Sequence, residues 1–145
     1  PRLTLAGFAR AQLRAVFAAL SLGMRTLEDE GVAVDAMYAH GGLFRTGAVA
    51  QRLLAAAIAA PVVVGETAGE GGAWGMALLG AYRRAVADGA AADRPLARWL
   101  ADEVFADADT VTAEPTADEI ASHRAYLARW ERGLAVERAA ADALG

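Results

Sequence analysis

The residues best placed to do chemistry in this chain are His40, Gly41 and Gly42, followed by Leu43-Phe44-Arg45-Thr46-Gly47. A glycine pair has no Cβ, so its backbone can take positive φ and let a flat or phosphorylated ligand approach closely. A helix starting behind it would add unpaired N–H groups and a partial positive charge, which favour an anion. An ordinary tight strand-to-helix turn uses glycine in the same way, and the glycines alone do not separate the two readings. A second stretch, Gly65-Glu66-Thr67-Ala68-Gly69-Glu70-Gly71-Gly72-Ala73-Trp74-Gly75, is also glycine-dense. It resembles a dinucleotide fingerprint only loosely and is not a Walker A loop, because no Gly-Lys-Ser/Thr follows. Its glycines serve either close packing or a ligand.

Other reactive side chains are few. Glu66 and Glu70 sit in the second stretch, where solvated or capping carboxylates are as reasonable as catalytic ones. His40 could touch a ligand or be a hydrogen-bonded core histidine. The two histidines, His40 and His123, are too far apart to suggest a zinc centre, and without cysteine there is neither a disulfide nor a thiolate site. Asp102, Glu103, Asp107 and Asp109 form an acidic cluster that reads as a solvated loop or as a metal site. A Ser/His/Asp arrangement is hard to build, since Ser21 and Ser122 both fall inside helical patterns. No residue is assigned a catalytic or metal-binding role.

Positioning such turns requires strands and helices around them. The chain has 145 residues, enough for one domain, and its 56% hydrophobic content is largely alanine, which favours helix while burying little area per residue. Thr4 can cap a helix running to about Glu28, with Leu5, Phe8, Leu13, Val16, Phe17, Leu20, Met24 and Leu27 as its apolar stripe and Gly31 beyond its end. Val32 to Ala39 reads as a buried strand leading into the glycine pair. Ala48 to Ala60 reads as a helix in which Val49, Leu53, Leu54, Ala57 and Ile58 face inward and Gln51 and Arg52 point elsewhere. Pro61-Val62-Val63-Val64 gives a second strand, making a right-handed parallel βαβ unit. Both glycine-rich turns would then lie at strand C-terminal ends and could converge. Further helices are expected up to Asp88-Gly89 and around Pro95 to Phe105, and a short extended segment at Thr110 to Ala113. Thr116-Ala117-Asp118-Glu119 has the form of a capping box for a last helix to about Ala143, interrupted near Gly133. That helix would dock through Ile120, Tyr126, Leu127, Trp130, Leu134 and Ala139.

The formal charge of −4 and the absence of any basic cluster argue against nucleic-acid binding. No uninterrupted apolar run reaches about 18 residues, so neither a membrane span nor membrane binding is expected, and the default compartment is cytoplasmic. The first residue is Pro1 rather than Met, which suggests a piece of a longer polypeptide.

The motifs carry a resemblance. Gly41-Gly42-Leu43-Phe44-Arg45-Thr46, then Gln51 to Ile58, Pro61-Val62, and Glu66 to Leu79 are similar, in order and spacing, to the C-terminal part of FGGY carbohydrate kinases, ribulokinase- and xylulokinase-like members above all. The resemblance implies an α/β fold, a partial actin-like ATPase domain of ribonuclease H-like type, helix-rich with a few parallel strands. It implies that residues 1–145 form the nucleotide-side portion of the second domain, the N-terminal sugar domain and the catalytic Asp being absent. It implies phosphoryl transfer from ATP, with Mg2+, to a pentulose-type sugar hydroxyl. Gly41 and Gly42 match the block that contacts the adenine nucleotide in the family, and Thr46 stands where relatives commonly place a nucleotide-contacting Asn. Alone, the chain is expected to lack turnover, and surface that packs on the missing part would favour self-association into a homo-oligomer. The competing expectation is a non-catalytic nucleotide-binding or assembly module.

Overall fold

The computed structural model of the chain describes residues 2–46, 48–66 and 68–145, with Thr46 described by its backbone alone. Among the described residues the elements follow in the order α1 (Leu5–Asp29), β1 (Met37–Tyr38), α2 (Ala48–Ile58), β2 (Val62–Gly65), α3 (Gly71–Ala87), α4 (Leu96–Trp99), β3 (Thr110–Ala113) and α5 (Ala117–Leu144). Short 3₁₀ helices at Gly42–Thr46 and Ala68–Glu70 precede α2 and α3, and a π-helical turn, Leu100–Val104, follows α4.

Local chemistry sets the helix ends. Thr4 is extended, and its hydroxyl accepts a hydrogen bond from the Gly7 amide at 3.0 Å, satisfying one of the free N–H groups that open α1. At the other end Gly31 takes φ +71°. The Val32 amide donates to Leu27 and the Gly31 amide to Glu28, the paired bonds of a Schellman close. Both halves of the capping box form at α5: the Glu119 amide donates to the Thr116 hydroxyl, and the Thr116 amide to the Glu119 carboxylate. The Thr116 groups, then the Arg52 guanidinium, hold that carboxyl down to about 2. α5 runs through Gly133 without a break.

β1 and β2 are parallel, as a βαβ unit requires, with Met37 opposite Val62 and Tyr38 opposite Val63. The sheet is nevertheless mixed. β3 adds antiparallel to the other edge of β2, with Val62 opposite Ala113 and Gly65 opposite Thr110, so the expectation of parallel strands holds for one pair of the two. The expected strand Val32–Ala39 contracts to Met37–Tyr38, the two residues in register with β2.

The core centres on Phe17, Ala39, Leu54, Ala55 and Val62, with Met37, Phe44, Leu53, Ala57, Ile58 and Val64 against it. Two orientations differ from those the apolar spacing suggests. α1 turns Phe17, Ala18 and Ser21 inward and leaves Leu5, Phe8, Val16, Leu20 and Leu27 exposed. The buried face is the one that carries the polar partners of α5: Arg14 donates to Ser122, and Arg25 pairs with Glu131. In α2, Val49 is exposed and Gln51 is buried. The Gln51 amide donates to the carbonyls of Val62 (2.8 Å) and Val111 (2.7 Å), tying α2 to both strands of the antiparallel pair. By length and composition α1 is apolar enough to cross a membrane, which run-counting overlooks because arginines interrupt it.

Candidate functional site

The two glycine-rich turns converge. The Ala39 amide continues the β1–β2 ladder by donating to Val63 at 2.9 Å, and the chain then leaves the sheet through His40. Gly41 takes φ +112°, a conformation that glycine adopts without the Cβ clash of other residues, and its amide donates to the Ala68 carbonyl at 2.6 Å. That bond joins the end of β1 directly to the turn after β2. The Phe44 amide then closes back on Gly41 at 3.0 Å and starts the 3₁₀ helix. This helix separates Gly42 from the start of α2 at Ala48, so the glycine pair does not sit on the N-terminus of α2 as the sequence suggested.

The glycines of the second turn make room for the side chains of the first. A Cβ on Gly69 would lie 2.6 Å from Arg45 Nε, and one on Gly71 would lie 2.7 Å from His40 Cβ. Arg45 thus lies across Gly69 and reaches Glu70 in an exposed ion pair of 2.6 Å. Packing is therefore one use of this stretch. At Gly41 and Gly42 the situation is reversed: a Cβ would meet nothing within 4 Å, so the backbone there faces open space. The Thr46 side chain lies outside the described residues.

Two cavities flank the junction. The smaller, about 150 Å³, is lined by Phe44, Arg45 and Val64 and by residues of the second turn, Gly65, Glu66, Ala68, Gly69 and Glu70 among them. The larger, about 780 Å³, shares Gly65 and Glu66 and adds His40, Trp74, Phe105 and the acidic segment. Neither is lined by Gly41 or Gly42. In the acidic segment, Arg98 and Arg94 hold the Asp102 carboxyl below its ordinary range, and Glu103 raises the Arg94 guanidinium. Those carboxylates form a surface ion-pair network. Among the described residues no three of His, Asp or Glu gather into a ready-made cage for a metal ion.

One constellation escaped sequence reasoning. Ser21 and His123, 102 residues apart, meet in the interior at 2.9 Å. Each looked like an ordinary helical residue, and the only signal was a polar side chain spaced four residues from Phe17 on what became the buried face. Arg45 and Glu70 were likewise not seen as partners.

Comparison with known proteins bears on this geometry. No curated protein and no solved structure matches the chain. The C-terminal domain of the FGGY family of carbohydrate kinases matches residues 1–84, a span that contains α1, both parallel strands and both glycine-rich turns. With more than half of its length matched, the chain belongs to the FGGY family of carbohydrate kinases.

Proposed function

We propose that this chain supplies part of the adenosine-binding wall of an ATP-dependent sugar kinase acting on a pentulose-type hydroxyl, of ribulokinase- or xylulokinase-like kind. The family is one of actin-like ATPase-type kinases, whose activity is transfer of a phosphoryl group to a carbohydrate. The observation that carries the reading is the junction of the two turns, Gly41 N–H to Ala68 C=O, beside a small cavity at the strand C-terminal ends, where open α/β sheets bind ligands.

Two features of the backbone support a nucleoside here. Gly41 and Gly42 present bare main chain to open space, and Phe44 and Gly69 wall a cavity of the scale of a planar group. Arg45 is balanced by Glu70, so the junction carries no excess cation to draw in the triphosphate. Gly41 and Gly42 would contact the nucleotide through their backbone and Thr46 through its hydroxyl. ATP, when bound, supplies the phosphoryl group. The magnesium ion and the general base for the sugar hydroxyl come from outside these residues, and the enzyme works in the cytoplasm.

Titrating the chain with a nonhydrolysable ATP analogue tests the proposal. Weak saturable binding is expected, and Gly42→Val should abolish it by filling the open space above the main chain. Binding that survives the substitution, or no binding by the parent chain, overturns the assignment. Sugar-dependent ATP consumption by the purified chain would overturn the placement of the base elsewhere.

A further inference from the structure

We propose that the His123 ring, buried against Ser21 where α5 meets α1 and α2, is a proton-sensitive latch, which holds α5 in place at neutral pH and loosens it on acidification. Both residues are buried, and they sit where the three helices meet. Ser21 Oγ lies 2.9 Å from three atoms: the Phe17 carbonyl in α1, the Ala57 carbonyl in α2 and Nε2 of His123 in α5. A hydroxyl has one proton, and carbonyls only accept. The Ser21 proton therefore goes to the carbonyls, and the Nε2–H of a neutral His123 donates to the Ser21 oxygen. The same arithmetic excludes a nucleophilic serine, because His123 would then have to take the proton that the carbonyls hold.

The surroundings oppose a charge on the ring. Arg14 of α1 lies 5.7 Å from the centre of the Tyr126 ring and donates to Ser122, so a fixed cation stands beside His123. The Tyr126 ring centre lies 6.1 Å from that of His123. Of the other charged groups lining the adjoining cavity, Arg25 is paired to Glu131, Glu28 comes from the last turn of α1, and Arg124 belongs to α5 itself. α2 offers only backbone and apolar groups to that cavity. Burial first, and the Arg14 charge second, hold the imidazole below its ordinary value of 6.5.

The sign follows from linkage. Below pH 6.5 the freed histidine takes a proton that the latched one refuses, so acid favours release until the folded-state value is passed. A single proton changes the latched-to-released ratio by at most tenfold per pH unit. The chain has only two histidines, so few other groups titrate in that range.

The test is unfolding of the full chain in urea at intervals from pH 7.5 to 5. The parent's unfolding constant should rise as pH falls, by up to tenfold per unit below 6.5. His123→Gln, which keeps an amide N–H for Ser21, should rise less steeply than the parent across this range. Equal slopes for the parent and His123→Gln overturn the proposal. Should His123→Gln fail to fold, imidazole resonances of the parent decide, assigned by His40→Gln. A His123 that titrates below 6.5 supports the latch, and one that titrates at 6.5 or above overturns it.

Discussion

Gly71 and Gly72 are neighbours in the first turn of α3, and the structure assigns them opposite responses to the same substitution. A Cβ at Gly71 would stand 2.7 Å from His40 Cβ, about 0.7 Å inside ordinary contact at 3.4 Å. His40 Cβ cannot rotate away, because it is fixed to the main chain leaving β1. The start of α3 or the turn itself must move, which breaks into the Gly41–Ala68 junction; overpacking of this kind costs about 1–3 kcal/mol. The helix preference of alanine returns less than ~1 kcal/mol at a first-turn position. Gly71→Ala should therefore lose about 1–2 kcal/mol, a fall in Tm of roughly 3–6 °C for a chain of this size. At Gly72 the new methyl meets nothing within 4 Å, so only the backbone entropy gain remains, about 0.5–1 kcal/mol of stabilisation. Thermal melts followed by circular dichroism read both, and His40→Gly in the Gly71→Ala background should restore most of the loss by removing the opposing atom. If Gly71→Ala is as stable as the parent, or both substitutions shift Tm in the same direction, the convergence of the two turns is wrong.

Replacing Gln51 with Leu leaves the Val62 and Val111 carbonyls without their donor, and a loss of about 2 kcal/mol is expected in urea midpoints at unchanged slope; a change under ~0.5 kcal/mol would refute the tie between α2 and the strands. Gly41→Ala should cost roughly 1–3 kcal/mol from its φ of +112°, while Gly42→Ala, facing open space without that strain, should be near neutral. Glu119 has a lowered folded-state pKa, so its contribution is present above its ordinary value of 4.5 and disappears as pH falls toward about 2. Melts of the parent should decline through that window more steeply than those of Glu119→Gln, and parallel curves would contradict the capping geometry.

The parts legible in the sequence are those fixed by local chemistry. Thr4, Gly31, Thr116 and Glu119 announce their helix ends because a cap needs only residues a few positions away. The meeting of the two glycine turns was legible because parallel strands joined by one helix put their C-terminal ends side by side. Burial was legible only in part. The stripe from Leu5 to Leu27 is a sound helical pattern, but periodicity does not say which face the body covers, and the covered one carries Ser21 with Arg14 and Arg25 at its margins. Gln51 was misplaced for a related reason: a long amide is polar, yet carbonyls of two strands made its interior position favourable. Nothing local could pair Ser21 with His123. The acidic run resolved once Arg94 and Arg98 were seen to lie beside it.

The ties between α1 and α5 span most of the chain: 108 residues separate Arg14 from Ser122, 106 separate Arg25 from Glu131 and 102 separate Ser21 from His123. The bond from Ser21 to Ala57 spans only 36. During synthesis from the N-terminus, α1 can therefore seat on α2 long before its second partner exists. Through that interval the Arg14 side of α1 stays wet, and the final closure waits for the last helix. Loop closure over such spans is entropically slow, so α5 should be the last element to dock in folding and the first to lift when the protein is stressed.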